Sequence, residues 1–88
     1  MNDSTKSDPK KKDIIIYSTS WCGFCKMAMQ YLDQKGIPYV DKNVETDVDA
    51  FREFQQKMGG HSGVPVIDID GTLILGFDRP KIDAALAA

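Results

Sequence analysis

Histidine and tryptophan occur once each in this 88-residue chain and cysteine only twice, so few side chains are on hand for metal or nucleophilic chemistry. A structural zinc site takes four cysteine or histidine ligands, and beyond Cys22 and Cys25 the sequence offers His61 alone. Long apolar runs are missing too: none approaches the ~20 residues that a bilayer-crossing helix requires. Nor is there surplus positive charge. With 11 basic against 13 acidic residues the net charge is −2, which removes the usual reason to expect nucleic acid or an anionic membrane as partner. Met1 to Asp13 is polar throughout and lacks the apolar centre of a secretory signal. It reads as a disordered leader ahead of one domain, residues 14–88. The cytoplasm is the expected location, and there a pair of cysteines is seldom a structural disulfide. The cysteines are therefore read as chemistry before structure.

What remains is a globular composition, 42% apolar and 27% charged, enough for one modest core. Ile14 to Tyr17 is a β-branched run of the kind that forms a strand buried on both faces. A helix is predicted from about Gly23 to Lys35, with Phe24, Met27, Ala28, Tyr31 and Leu32 as its core stripe and Gly36 as its stop. Ile37 to Val40 reads as a second strand. A second helix is capped by Thr46 or Asp47, ends at Gly59-Gly60, and turns Val48, Phe51, Phe54 (or Gln55) and Met58 inward. Val64 to Ile69 and Thr72 to Leu75 flank Asp70-Gly71, a strong two-residue hairpin signal. Asp78 can cap a last helix with Pro80 in its first turn and Ile82, Ala85 and Leu86 inward. The order β-α-β-α-β-β-α predicts an α/β domain, a four-stranded mixed sheet flanked by three helices.

Cys22 and Cys25 lie where the first strand hands over to the first helix. Unpaired N–H groups and the helix dipole favour negative charge there, and such settings lower a cysteine pKa from ~8.5 into the range ~3.5–7.5. Cys25, one turn on, can reach a mixed disulfide formed at Cys22 and is the more protected thiol. Thiol–disulfide exchange needs that asymmetry. Two cysteines packing as small hydrophobes is the plainer alternative. The Val64-Pro65 step is a second candidate element. An ordinary trans proline opening a strand and a cis bond that turns the Val64 backbone toward an extended substrate are both open on the residues alone.

Tyr17-Ser18, Cys22-Gly23-Phe24-Cys25, Gly63-Val64-Pro65, Asp70-Gly71 and Gly76-Phe77-Asp78, in this order and spacing, make the chain resemble the glutaredoxins of the thioredoxin-like superfamily. The resemblance spans about Ile14 to Leu86. It implies a thioredoxin-like fold, a cis Pro65 facing the cysteine pair, Cys22 as attacking and Cys25 as resolving thiol, and a substrate or glutathione site drawn from Thr19, Trp21, Phe24, Val64, Pro65, Gly76, Phe77 and Asp78. It also implies disulfide-containing proteins as substrates, glutathione as reductant or co-substrate, no tightly bound cofactor and no metal, and a chain that acts as a monomer.

Departures from the family pattern bear on the electron donor. Thr19 stands where glutaredoxins carry a lysine, Gly63 where they carry threonine, and Leu75 where the first of two glycines is usual. Gly76-Phe77-Asp78-Arg79-Pro80 also resembles the Gly-Phe-Arg-Pro of redoxins that serve ribonucleotide reductase and draw electrons from thioredoxin reductase. Gly23-Phe24 matches the Cys-Gly-Phe-Ser of monothiol members that share a [2Fe–2S] cluster with glutathione, which makes cluster binding the alternative role. Among other residues, His61 reads as an exposed loop histidine and Lys26 as solvated. Trp21 either lines the substrate groove or covers the helix end.

Overall fold

The computed structural model describes residues 13–59 and 63–87. Its elements are β1 (Ile14–Ser18), α1 (Gly23–Gln34), β2 (Val40–Asn43), α2 (Val48–Met58), β3 (Val66–Ile69), β4 (Thr72–Leu75) and α3 (Arg79–Ala87). The sheet order is β2-β1-β3-β4. β1 runs parallel to β2, as the helical crossover between them requires, and antiparallel to β3, which pairs with β4 through the hairpin. Asp70 and Gly71 both take positive φ, 51° and 96°, as a tight two-residue hairpin demands. This is the thioredoxin-like arrangement of a mixed sheet between helices.

Alternation along the strands divides the core in two. Ile14 and Ile16 of β1, Ile67 and Ile69 of β3, and Ile74 of β4 face α1 and α3, where Ala28, Leu32 and Ile82 meet them. Tyr17 and Val66 point the other way, onto Phe54 of α2. Each fully buried aliphatic side chain contributes about 1.5–3 kcal/mol, so the isoleucine layer is the main support of the sheet.

Three local expectations are corrected. The second strand is not Ile37–Val40 but begins at Val40. Pro38 has no N–H for a ladder, and Ile37 and Tyr39 pack against the isoleucine layer from a loop. The residues that pair with β1 are Val40 and then the polar Asp41, Lys42 and Asn43, the charged composition of a protected edge strand. β3 starts at Val66, after Pro65 rather than at Val64, and the Val64-Pro65 bond is cis. Finally, α2 buries Ala50 and Phe54 while Val48 and Phe51 are exposed, because the helix is rotated to bring Glu53 and Lys57 beneath Tyr17. The caps stand as expected: Asp47 accepts hydrogen bonds from the N–H groups of Asp49 and Ala50 at 3.0 and 3.2 Å, and Gly59 closes the helix. Among the described residues no helix is long and apolar enough to cross a membrane.

Candidate functional site

Four residues, Thr19 to Cys22, lead from the end of β1 into α1. Cys22 is the N-cap of that helix in extended conformation, and its Sγ accepts the Cys25 N–H at 3.1 Å. A sulfur thus occupies the place where serine or aspartate normally satisfies a free helix N–H. Cys22 and Cys25 are joined as a disulfide with Cα atoms 5.2 Å apart. Both are buried, but Cys22 retains 6% of its surface and Cys25 none, so Cys22 is the nearer of the two to solvent. Once the bond is reduced, the N–H and helix dipole that face Cys22 stabilise its thiolate.

Phe24, which lies between the two cysteines in the chain, lines a groove of about 700 Å³. Phe24 of α1, Val64 and Pro65 of the loop before β3, and Gly76, Phe77 and Asp78 between β4 and α3 line it together. The Gly76 N–H donates to the Pro65 carbonyl at 2.8 Å, and Gly76 has φ of 80°, a conformation that favours glycine. Asp78 caps α3: its Oδ1 accepts the Lys81 N–H at 3.2 Å. Six of the expected binding residues therefore share one groove. Leu75, Arg79 and Pro80 line it as well. Leu75 was legible only as a departure from the family pattern, and Arg79 packs its guanidinium over the Tyr31 ring, 5.2 Å from the centroid.

Thr19 and Trp21 fall outside that groove. The Thr19 carbonyl accepts the Cys22 N–H at 3.4 Å, and its buried Oγ1 has no hydrogen-bond partner among the described residues. Trp21 is 72% exposed and donates from Nε1 to Glu45 Oε2 at 3.0 Å. The expected core stripe of α1 is corrected at two positions. Cys25, Ala28 and Leu32 are buried, which turns Phe24 and Met27 out to solvent. Lys26 is exposed as expected, and His61 lies outside the described residues.

Under the sheet, on the α2 side, is a charged network that the apolar pattern did not reveal. Tyr17 donates to Glu53 Oε2; Lys42 holds both Glu53 oxygens at 2.9 and 3.0 Å; Lys57 donates to Asp68 at 2.6 Å and lies over the Tyr17 ring. Burial opposes charge on Lys57, yet the hydrogen bond to Asp68 and the neighbouring Tyr17 hold its pKa above the ordinary lysine value. Burial, then the hydrogen bond to Glu53, raises the Tyr17 pKa. The hydrogen bond from Tyr17, then that from Lys42, lowers that of Glu53. The spacing of Glu53 and Lys57 and an aspartate in mid-strand were the available signals.

Residues 14–74 match the family model described as Glutaredoxin. A glutaredoxin-like 8.6 kDa protein from the rubredoxin operon of Clostridium pasteurianum is 47% identical over 70 residues, 80% of this chain and 92% of that one. Glutaredoxin from Pseudomonas aeruginosa is 32% identical over 82 residues, 85% of this chain and 96% of that protein. The glutaredoxin structure from Archaeoglobus fulgidus superposes with a TM-score of 0.74 at 17% identity, covering 88% of each chain.

Proposed function

The chain belongs to the glutaredoxin family, and from that premise we propose that it reduces protein disulfides or glutathione mixed disulfides through its Cys22/Cys25 dithiol. The observation that carries the reading is the Cys22 sulfur at the N-cap of α1, accepting the Cys25 N–H; a groove that Phe24, two residues on, helps to line is the candidate place for substrate. In the forward step the Cys22 thiolate attacks one sulfur of the substrate disulfide. The other sulfur leaves as a thiolate and is protonated from solvent. Cys25, on losing its proton, attacks Cys22 Sγ, and the second substrate sulfur departs. The substrate has gained two electrons, and the protein is left with the Cys22–Cys25 disulfide. Two equivalents of a thiol such as glutathione, or a reductase, return those electrons.

Glutathione fits the groove in chemical terms: Val64 offers backbone polar groups, and Asp78 offers a carboxylate for an amino group. Leu75 and Thr19 argue the other way, since a leucine and a neutral hydroxyl stand where glutaredoxins keep a glycine and a lysine. Cluster ligation needs Cys22 as a lasting thiolate, and Cys25, bonded to it here, competes for that sulfur; the residues present do not fit a [2Fe–2S] cluster well.

Disulfide reduction followed with two NADPH-coupled donors side by side tests the proposal. One mixture holds glutathione and glutathione reductase, the other thioredoxin reductase alone. Turnover with glutathione only identifies glutathione as the donor, used despite Thr19 and Leu75. Turnover with thioredoxin reductase only marks a redoxin that has left glutathione behind. Activity with neither overturns the proposal.

A further inference from the structure

The segment that delivers Cys22 to the helix is held from outside the sheet. β1 and β2 pair as far as Ser18 and Asn43, and beyond that point one backbone hydrogen bond and several side chains keep the two following loops connected. The Val44 N–H donates to the Ser18 carbonyl at 2.9 Å. Asn43 Nδ2 donates to Ser20 Oγ at 3.1 Å, while Asn43 Oδ1 accepts the N–H groups of Glu45 and Thr46 at 2.8 and 3.2 Å. That turn fixes where Glu45 stands. Its carboxylate is then used at both oxygens: Oε1 accepts the Ser20 N–H at 3.3 Å and Oε2 the Trp21 Nε1–H at 3.0 Å.

We propose that Glu45 is a positioning residue that latches Trp21 beside Cys22, making the indole the specificity-determining shelf for apolar residues flanking the target cysteine of a protein substrate. The proposal rests on the redox reading above. An indole that is 72% exposed buries little of its own surface, so nothing in the core fixes its rotamer. The carboxylate does. Two donors one residue apart converge on one acidic group, a bidentate arrangement that fixes direction as well as distance. Trp21, directly before Cys22, and Phe24, two residues after it, are both exposed apolar side chains, and only Phe24 lines the groove, so the held indole adds apolar surface next to the cysteine outside the groove. A small disulfide needs only the groove, whereas a folded substrate presents a chain that extends past the cysteine in both directions.

The test uses the full chain and the variants Glu45→Ala and Glu45→Gln, with insulin as the protein disulfide. Hydrogen bonds to a charged acceptor at an exposed site are worth a few-fold to about tenfold in an equilibrium constant, so Glu45→Ala is expected to raise KM for insulin about three- to tenfold with little change in kcat. Glu45→Gln keeps an acceptor for the indole and should recover most of the loss. Trp21 is the only tryptophan, so its fluorescence anisotropy reports the latch directly and should fall in the alanine variant. Unchanged KM and anisotropy in Glu45→Ala would overturn the latch while leaving the redox reading intact. An inactive wild-type chain would instead remove the redox reading, and the latch with it.

Discussion

Replacing Asp68 should show how much stability the α2 side of the sheet contributes. Asp68 is 7% exposed; its Oδ2 accepts from Lys57 at 2.6 Å and its Oδ1 from the Gly71 N–H at 2.7 Å. Removing one partner of a fully buried ion pair costs about 3–5 kcal/mol. Here the Lys57 side chain keeps 29% of its surface, and Glu53 stands 3.8 Å away as a second carboxylate, which brings the loss down to about 2–3 kcal/mol. The bond to Gly71 steadies the hairpin turn and adds about 1 kcal/mol. Asp68→Ala should therefore destabilise by about 3–4 kcal/mol, a Tm drop of about 15–25 °C for a domain of this size. Asp68→Asn retains an acceptor for Gly71 and should lose about 2 kcal/mol. Urea unfolding followed by far-UV circular dichroism gives both values, provided the m-values agree. Equal losses in the two variants would show that the turn bond contributes nothing separate. A loss below about 0.5 kcal/mol in both would refute the ion-pair argument.

The same network sets the pH limits of stability. The lowered pKa of Glu53 supplies stabilisation that is complete above its unfolded value of 4.5 and is lost as pH falls through the folded value; Glu53→Gln should flatten the acid limb of the urea midpoint. The raised pKa of Lys57 supplies stabilisation that is complete below 10.5 and is lost as pH rises beyond it, so Lys57→Met should flatten the alkaline limb. Leu32 is fully buried in the isoleucine layer, and Leu32→Ala should cost about 2–5 kcal/mol by thermal melt; a change under about 1 kcal/mol would contradict the packing. In the reduced protein, Cys22 should alkylate with a pH midpoint below the ordinary ~8.5 of a free thiol, and an ordinary midpoint would remove the helix-cap argument.

The strands and caps were legible because their signals are local. Ile14 to Tyr17, Asp70-Gly71, Asp47 and Asp78 each act through their own backbone or side chain. The failures were rotational or long-range. Phe24 and Met27 fit a helical stripe, but the helix packs Ala28 and Leu32 against the isoleucine layer and buries Cys25 with them, which leaves Phe24 and Met27 outside. Val48 and Phe51 lost the inner face of α2 to Ala50 and Phe54, because Glu53 and Lys57 meet Tyr17, 36 residues away from Glu53 in the chain. An apolar pattern cannot report such a partner. The apolar pattern puts Val40 in the second strand but not Asp41 to Asn43, because this edge strand is polar. At the site, six of the groove residues were named from family resemblance, whereas Glu45 left no signal: a glutamate in a loop gains meaning only once β2 is set beside β1.

Cys22 as the attacking thiol and Cys25 as the resolving one is tested most directly by the two single variants in a protein-disulfide assay. With Cys22→Ser turnover should be lost; with Cys25→Ser the protein should accumulate as a one-to-one mixed disulfide with substrate, visible by intact mass and reversed by reductant. Equal activity of the two variants, or a mixed disulfide carried by Cys25 in Cys22→Ser, would contradict the account.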